Sequence, residues 1–115
     1  MWQIEFYETE AGRSPVLEWI EDMTEEEAAL ALGYIEQLRE LGTEARMPLV
    51  RSLRNKLYEL RWNASNKHHR IIYFAAPGRK FVLLSGFTKK RRETPPKEMA
   101  TAFRRMRAYN EQAKG

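Results

Sequence analysis

The chain has 115 residues and no cysteine, and its 20 Lys and Arg outnumber its 16 Asp and Glu. A chain of this length is one domain by size, so we assign residues 1–115 to a single domain. The lack of cysteine excludes disulfides, thiolate catalysis and cysteine-type zinc sites. No apolar run approaches a membrane span, and the N-terminus lacks the basic start and apolar stretch of a signal peptide. We therefore expect a soluble cytoplasmic protein without a cofactor.

Charge is divided unevenly along the chain. Residues 1–46 hold 12 acidic and 3 basic side chains, whereas residues 47–115 hold 4 acidic and 17 basic ones. A basic region of this density is typical of a protein that binds a polyanion such as RNA or DNA. Charge alone leaves a second interpretation open, in which acidic helices fold back on a solvated basic surface.

The N-terminal half begins with a predicted strand and a short helix. Residues 2–8 alternate between apolar and polar side chains, as a strand buried on one side does. Ser14 followed by Pro15 indicates a helix start, with the serine as N-cap and the proline at the first helical position. The apolar residues that follow extend this helix to about Met23.

A second, longer helix is predicted next. Thr24 and Glu27 have the spacing of a capping box, and Gly42 is suited to end the helix after Leu41. A helical repeat of apolar residues predicts the face that packs on the core. These residues are Ala28, Leu32, Ile35, Leu38 and Leu41. The two helices are predicted to be scaffold rather than active site.

Three strands are predicted in the second half, at residues 57–62, 69–74 and 81–87. Each is rich in aromatic and branched side chains, and the segment before them, residues 43–56, is predicted to be irregular because it contains Pro48. The breaks between the strands are short, which favours antiparallel hairpins. Because side chains alternate across a sheet, we expect one apolar face and one charged face that displays Arg61 to solvent.

Four successive cations and a last helix complete the chain. Thr94 followed by two prolines indicates the start of that helix, which runs to about residue 113 with an amphipathic face. The order β, α, α, β, β, β, α predicts an α+β fold. In it, helices pack on the apolar face of a small sheet, and the first strand pairs at the edge of the other three. The four cations are Lys89, Lys90, Arg91 and Arg92.

Several of these segments resemble the HigB-type branch of the RelE/ParE toxin superfamily, also known as phage-derived Gp49-like proteins. The resemblance covers most of the chain and implies a RelE/ParE-like α+β fold, with a small antiparallel β-sheet, two N-terminal helices and a C-terminal helix. The chain departs from many relatives at His68 and His69, and its four cations extend the usual pair of lysines. The matching runs are Leu57-Tyr58-Glu59-Leu60-Arg61, Arg70-Ile71-Ile72-Tyr73-Phe74, Leu83-Leu84-Ser85-Gly86-Phe87-Thr88-Lys89-Lys90 and Thr94-Pro95.

The resemblance implies the toxin of a type II toxin–antitoxin system. Relatives in this branch cut messenger RNA, typically on the ribosome, and a HigA-like helix-turn-helix antitoxin neutralises them. Arg61, Arg70, Lys89 and Lys90 match functional positions of the superfamily. The alternative is a non-enzymatic toxin of the ParE type, which binds and poisons DNA gyrase. A nucleic-acid-binding module without toxicity is a third interpretation.

The residues fit cleavage of RNA without a metal. Such cleavage aligns the 2′-OH with the adjacent phosphorus, stabilises charge in the transition state and moves protons, and it leaves a 2′,3′-cyclic phosphate. A guanidinium can meet two phosphate oxygens at once. We therefore assign Arg61 and Arg70 to the scissile phosphate and expect both to face solvent, and we assign Lys89 to a further electrostatic contact. A simpler interpretation, in which Arg61 pairs with Glu59, stays open.

The flanking RNA backbone and the proton transfers complete the set of predicted site residues. Both histidines titrate near neutrality, and His69 is the preferred acid or base because it adjoins Arg70, although both also fit a polar turn. Tyr73 and Phe87 could stack a base or pack in the core. No His, Asp and Glu spacing resembles a metal site, so none is predicted. The residues assigned to the RNA backbone are Arg54, Lys90, Arg91 and Arg92.

Overall fold

The computed structural model describes residues 1–89 and 93–114, so that Lys90, Arg91 and Arg92 lie outside the described residues. Five strands form one sheet in the order β1-β5-β4-β3-β2. The α+β fold class, the two N-terminal helices and the C-terminal helix are confirmed. The elements are β1 (Gln3–Phe6), α1 (Pro15–Glu21), α2 (Glu25–Leu41), a 3₁₀ turn (Gly42–Glu44), β2 (Val50–Ser52), β3 (Tyr58–Ala64), β4 (Lys67–Ala76), β5 (Lys80–Lys89) and α3 (Pro96–Lys114).

The sheet is mixed rather than wholly antiparallel. β2 to β5 pair antiparallel in chain order, which confirms the hairpins predicted for β3, β4 and β5. β1 takes the expected edge position but runs parallel to β5, with Ile4 opposite Phe81. Residues 7–79 separate β1 from β5 and allow this direction, because only a direct short turn forces antiparallel pairing. β2 falls in the segment predicted to be irregular, and its three residues are too few for an alternating pattern to show.

Helices cover both faces of the sheet, so the prediction of one apolar face and one charged face is wrong. α1 and α2 pack through Val16, Ile20 and Ile35 on the face that carries Leu60 and Trp62. α3 packs on the opposite face. Its Met99, Ala102 and Phe103 pack there with Ile72, Phe74 and Leu84 of the central strands. Consecutive apolar residues in the central strands are typical of a sheet buried on both sides, and this pattern in residues 71–74 agrees with the structure.

The helix ends follow the local sequence signals. The capping box of α2 is present: the amide of Glu27 donates to Oγ1 of Thr24 at 3.2 Å, and the amide of Thr24 donates to Oε1 of Glu27 at 3.1 Å. Gly42 ends α2 with φ of +59°, and a Cβ there would lie 2.5 Å from the Trp2 ring, so glycine is required. Ser14 holds the N-cap position of α1, but its side chain makes no capping bond.

The buried stripe of α2 differs from the predicted one. Ile35 and Leu38 are buried as expected, and so is Ala31. Leu32 and Leu41 are exposed by 50% and 44%, because the sheet contacts a narrower stripe of the helix than the apolar pattern suggested. No helix within residues 1–89 and 93–114 is long and apolar enough to cross a membrane.

Candidate active site

The candidate site lies on the face of the sheet that α3 covers. Arg61 of β3 is the direct cross-strand neighbour of Arg70 of β4, and His68 of β4 is the neighbour of Lys89 of β5. Residues two apart on a strand, and residues directly opposite across strands, project from the same face. The three residues assigned to the phosphate, Arg61, Arg70 and Lys89, are therefore brought together on one face.

A buried glutamate lies among these cations. Oε1 of Glu59 is 3.5 Å from Nε of Arg61 and 3.9 Å from Nε of Arg70. Its Oε2 accepts a hydrogen bond from the hydroxyl of Thr94, the residue expected to cap α3. Arg51 of β2 is paired with Glu59 in register and adds a fourth cation to the same face. One carboxylate thus offsets the repulsion between two neighbouring guanidinium groups.

The sequence interpretation in which Arg61 pairs with Glu59 is therefore confirmed as a contact. Neither Oε1 of Glu59 nor the Nε atoms of Arg61 and Arg70 have a hydrogen-bond partner among the described residues. The contact is electrostatic, and these buried polar atoms are not saturated. Sequence reasoning treated Glu59 only as a competitor of the phosphate. Its two-residue spacing from Arg61 was the signal that places it in the site itself.

Arg70 is buried, with 1% of its surface exposed, so the prediction that it faces solvent is wrong. Its Nη1 donates to the carbonyl oxygens of Trp62 and His69 at 2.9 and 2.8 Å, and to Oδ1 of Asn63 at 3.1 Å. Burial lowers the pKa of Arg70, and the charge of Arg61 lowers it further. Arg70 lies on a central strand beneath α3. A pattern of charges along the sequence does not show which face of a strand a distant helix covers, so it did not reveal this burial.

Arg61 is the cation of the predicted set that combines solvent contact with a place in the cluster. Its side chain is 18% exposed, and its Nη1 lies 3.2 Å from Sδ of Met47. Lys89 is buried, and burial lowers the pKa of its ammonium, while Glu59 opposes that shift. Of the three residues assigned to the phosphate, Arg61 is therefore the one most open to an approaching phosphate.

The two histidines lie on opposite faces of β4. His69 is 3% exposed on the α1–α2 face, where its ring stacks on Trp62 with centroids 5.6 Å apart and its Nδ1 lies 2.9 Å from Oγ1 of Thr88. Burial lowers the pKa of His69. This position, on the opposite face of the sheet from Arg61 and Arg70, argues against His69 as the acid or base.

His68 is the histidine on the arginine face, and it is partly exposed. Its Nδ1 lies 2.9 Å from Oδ1 of Asn63 and 3.2 Å from Nη2 of Arg70. The signal that sequence reasoning missed is parity: His68 and Arg70 are two residues apart on one strand, whereas His69 and Arg70 are adjacent.

The other predicted residues are more scattered. Arg54 is exposed in the turn between β2 and β3, where its carbonyl oxygen accepts a hydrogen bond from the amide of Leu57. This turn precedes β3, whereas Asn63 lies near the end of that strand. Tyr73 and Phe87 are core residues of opposite faces, which favours packing over base stacking. Within residues 1–89 and 93–114, no three His, Asp or Glu side chains are grouped closely enough to hold a metal ion.

A cleft of about 400 Å³ opens beside the cluster, at the edge of β3. Arg61 and Arg70 contribute to its lining together with residues of α2, of the segment before β2 and of β3. These other lining residues are Tyr34, Gln37, Pro48, Leu49, Trp62 and Asn63. The site therefore combines a partly exposed guanidinium, a histidine on the same face of the sheet and a cavity that the guanidinium lines.

Comparison with known proteins identifies sequence relatives. A family model described as phage-derived protein Gp49-like (DUF891) matches residues 18–107, which include the whole arginine cluster. Two relatives from Mycobacterium tuberculosis, of strains CDC 1551 / Oshkosh and ATCC 25618 / H37Rv, are each 28% identical to the chain over 104 residues. The alignment covers 90% of this chain and 82% of each relative, and both relatives are named Probable endoribonuclease HigB1.

Proposed function

Because the chain belongs to the phage-derived Gp49-like family, we propose that it is the toxin of a type II toxin–antitoxin system and acts as an endoribonuclease. The observation that carries this proposal is the position of Arg61. It is partly exposed, is the cross-strand neighbour of a second arginine that contacts His68, and lines a cleft large enough for part of a nucleotide. The similarity to proteins named Probable endoribonuclease HigB1 adds support.

In the proposed reaction the substrate supplies its own nucleophile. The 2′-oxygen attacks the adjacent phosphorus, the bond from phosphorus to the 5′-oxygen breaks, and the upstream product keeps a 2′,3′-cyclic phosphate. The guanidinium of Arg61 contacts the non-bridging oxygens, whose charge increases in the transition state. No bound metal takes part in these steps.

Two side chains on the arginine face suit the proton transfers. His68 takes the proton from the 2′-OH, since it is partly exposed and imidazoles titrate near neutral pH. Lys89 returns a proton to the departing 5′-oxygen. Burial lowers the pKa of Lys89, which makes its ammonium a better proton donor than a solvated lysine. His68 replaces His69 in this role.

Arg70 and Glu59 position the groups that touch RNA. Arg70 donates to Oδ1 of Asn63 and lies within 3.2 Å of His68, so it fixes both side chains. Glu59 attracts Arg61 and, through Thr94, links the cluster to the residues before α3. Arg70 also adds positive charge behind Arg61, where a low-dielectric environment strengthens its effect on the phosphate.

The proposed substrate is messenger RNA, and the proposed place of cleavage is the ribosome in the cytoplasm. The positive balance of residues 47–115 supports binding of a polyanion, and the exposed Arg54, Arg104 and Arg107 extend that charge beyond the site. Lys90, Arg91 and Arg92 remain proposed contacts to the RNA backbone. Arg105 is a weaker candidate, because its Nη1 donates to the carbonyl oxygen of Leu84 at 2.8 Å.

The proposed partner is a HigA-like helix-turn-helix antitoxin. The N-terminal helices offer it a surface, since Leu17, Leu30 and Leu32 are 40–50% exposed among acidic side chains. Acidic surface repels the phosphate backbone of RNA, so the part of this region outside the cleft is better suited to a protein. An antitoxin bound there would neutralise the toxin by keeping it from its target rather than by filling the site.

The decisive experiment is to express the chain alone and to map the 5′ ends of cellular messenger RNA by primer extension. Discrete cuts with a 2′,3′-cyclic phosphate, or its 3′-phosphate hydrolysis product, on the upstream fragment are expected. A 3′-hydroxyl on that fragment would contradict the mechanism. Intact messages together with DNA damage would instead indicate a gyrase poison of the ParE type.

A further inference from the structure

Apart from Arg61 and Arg70, the residues that line the cleft have no contact with the phosphate in the proposed reaction. The cleft volume of about 400 Å³ lies within the usual range of small-molecule pockets. The cleft exists because β2 pairs with β3 only as far as Leu60, followed by one bond from the amide of Arg61 to the carbonyl oxygen of Leu49. Beyond that bond, Trp62 and Asn63 border the cleft and α2 forms its opposite wall.

Aromatic rings form one part of the lining. Tyr34 stacks on Trp62 with centroids 5.3 Å apart and an interplanar angle of 14°. Trp62 in turn stacks on His69, so that three rings form a column whose Tyr34 end is partly exposed. Surfaces of this kind bind nucleobases, because every base has a planar face that can stack on an aromatic ring.

Amide side chains form the polar part of the lining. Gln37 is exposed on α2, one turn after Tyr34, and its amide offers both a donor and an acceptor. Oδ1 of Asn63 accepts from Nη1 of Arg70 at 3.1 Å, which identifies the oxygen and leaves the Nδ2 group as a donor. A planar surface with donors and acceptors at its edge matches the chemistry of a nucleobase.

We propose that this cleft is a nucleobase subsite, which takes the base of a nucleotide next to the scissile phosphate. The base stacks on Tyr34, and Gln37 and Asn63 contact its polar edge. Arg61 lines the same cleft, so a phosphate bound by Arg61 places the neighbouring base at the opening. The inference rests on the proposed endoribonuclease function and adds to it that α2 selects the base beside the cut.

Mapping of cut sites in cells that express single variants tests the subsite. The wild type is expected to prefer one base at a position adjacent to the cut. Gln37→Ala should weaken that preference about three- to tenfold, the usual effect of one hydrogen bond, and Tyr34→Leu should weaken it as well. Tyr34→Phe keeps the ring and should keep most of the preference. Glu40→Ala is the matched control, since Glu40 is exposed one turn further along α2 and does not line the cleft.

The outcomes separate the subsite from the proposed function. Cuts by Gln37→Ala and Tyr34→Leu with the unchanged wild-type preference would overturn the subsite and leave the nuclease in place. A complete lack of cuts by the wild type would overturn the nuclease and the subsite together. Gln37→Ala keeps the test valid if Tyr34→Leu fails to fold, because Gln37 is exposed and Tyr34 packs on the core.

Discussion

Oε1 of Glu59 lies 3.9 Å from Nε of Arg70, and the two side chains are 0% and 2% exposed. Nε of Arg61 lies 3.5 Å from the same oxygen. A buried carboxylate shared by two guanidinium groups makes each of the three charges dependent on the others, because removal of one leaves the rest poorly compensated in a low-dielectric environment. Because Arg61 is partly exposed and Arg70 is buried, substitutions at these two positions should affect catalysis and folding to different degrees.

For Arg61→Ala we expect loss of activity without loss of the fold. Arg61 is the partly exposed member of the cluster, and removal of one electrostatic stabiliser of a transition state lowers the rate by roughly 10²–10³-fold. The cleavage rate of a defined message is the measurement. Arg13→Ala is the control, because it removes an exposed arginine that is distant from Arg61 in the sequence. An unchanged rate for Arg61→Ala would contradict the assignment.

For Arg70→Ala we expect loss of stability as the primary effect. The substitution removes three hydrogen bonds and leaves part of the charge on Glu59 uncompensated, which should lower the free energy of unfolding by about 3 kcal/mol or more. Urea unfolding of Arg70→Ala and Arg61→Ala under the same conditions makes the comparison. Equal stability of Arg70→Ala and the wild type would mean that the buried contacts are not energetically important.

Glu59→Gln should lower the cleavage rate but not the affinity for RNA. The amide no longer holds Arg61 by charge, whereas the site gains one net positive charge and binds a polyanion at least as well. The affinity can be measured with an oligonucleotide that has a 2′-deoxy nucleotide at the cut and cannot react. Glu111→Gln, an exposed change on α3, is the matched control. A parallel fall in affinity and rate would argue against a positioning role.

The two histidines should differ sharply in their effect on catalysis. His68→Ala should lower the cleavage rate roughly 10²–10⁴-fold, the range for a general acid or base. His69→Phe keeps the ring contact with Trp62 on the other face and should leave the rate within a few fold of the wild type. Rates on ribosomes programmed with one message provide the comparison. The opposite ranking of the two variants would return the acid–base role to His69.

His69 should also make the folded state sensitive to mild acid. Burial lowers its pKa below the usual 6.5, so the unfolded chain binds the proton more tightly than the native protein. The resulting stability is present above pH 6.5 and is lost as the pH falls through the folded-state pKa. Urea unfolding between pH 7 and pH 5 should show a fall for the wild type that is smaller for His69→Phe. Superimposable pH profiles would rule this out.

Local chemistry in the sequence was sufficient for the helix ends and most of the strands. The Thr24–Glu27 capping box and the positive φ of Gly42 involve backbone groups within a few residues, so both could be recognised before any tertiary contact was known. The two-residue period of a strand also placed Glu59 and Arg61 on one face before any neighbour was known. The same period would have selected His68 over His69, had it been applied to β4.

Tertiary packing decided which of these side chains meet solvent. A strand pattern states which residues share a face, but not whether a helix covers that face. α3 covers the face that was expected to be open, and it turns Arg70 from a surface cation into a buried one and Glu59 from a competitor into the partner of two arginines. The cleft beside Arg61 likewise depends on where β2 stops pairing and how α2 packs, because both are contacts between segments far apart in the sequence.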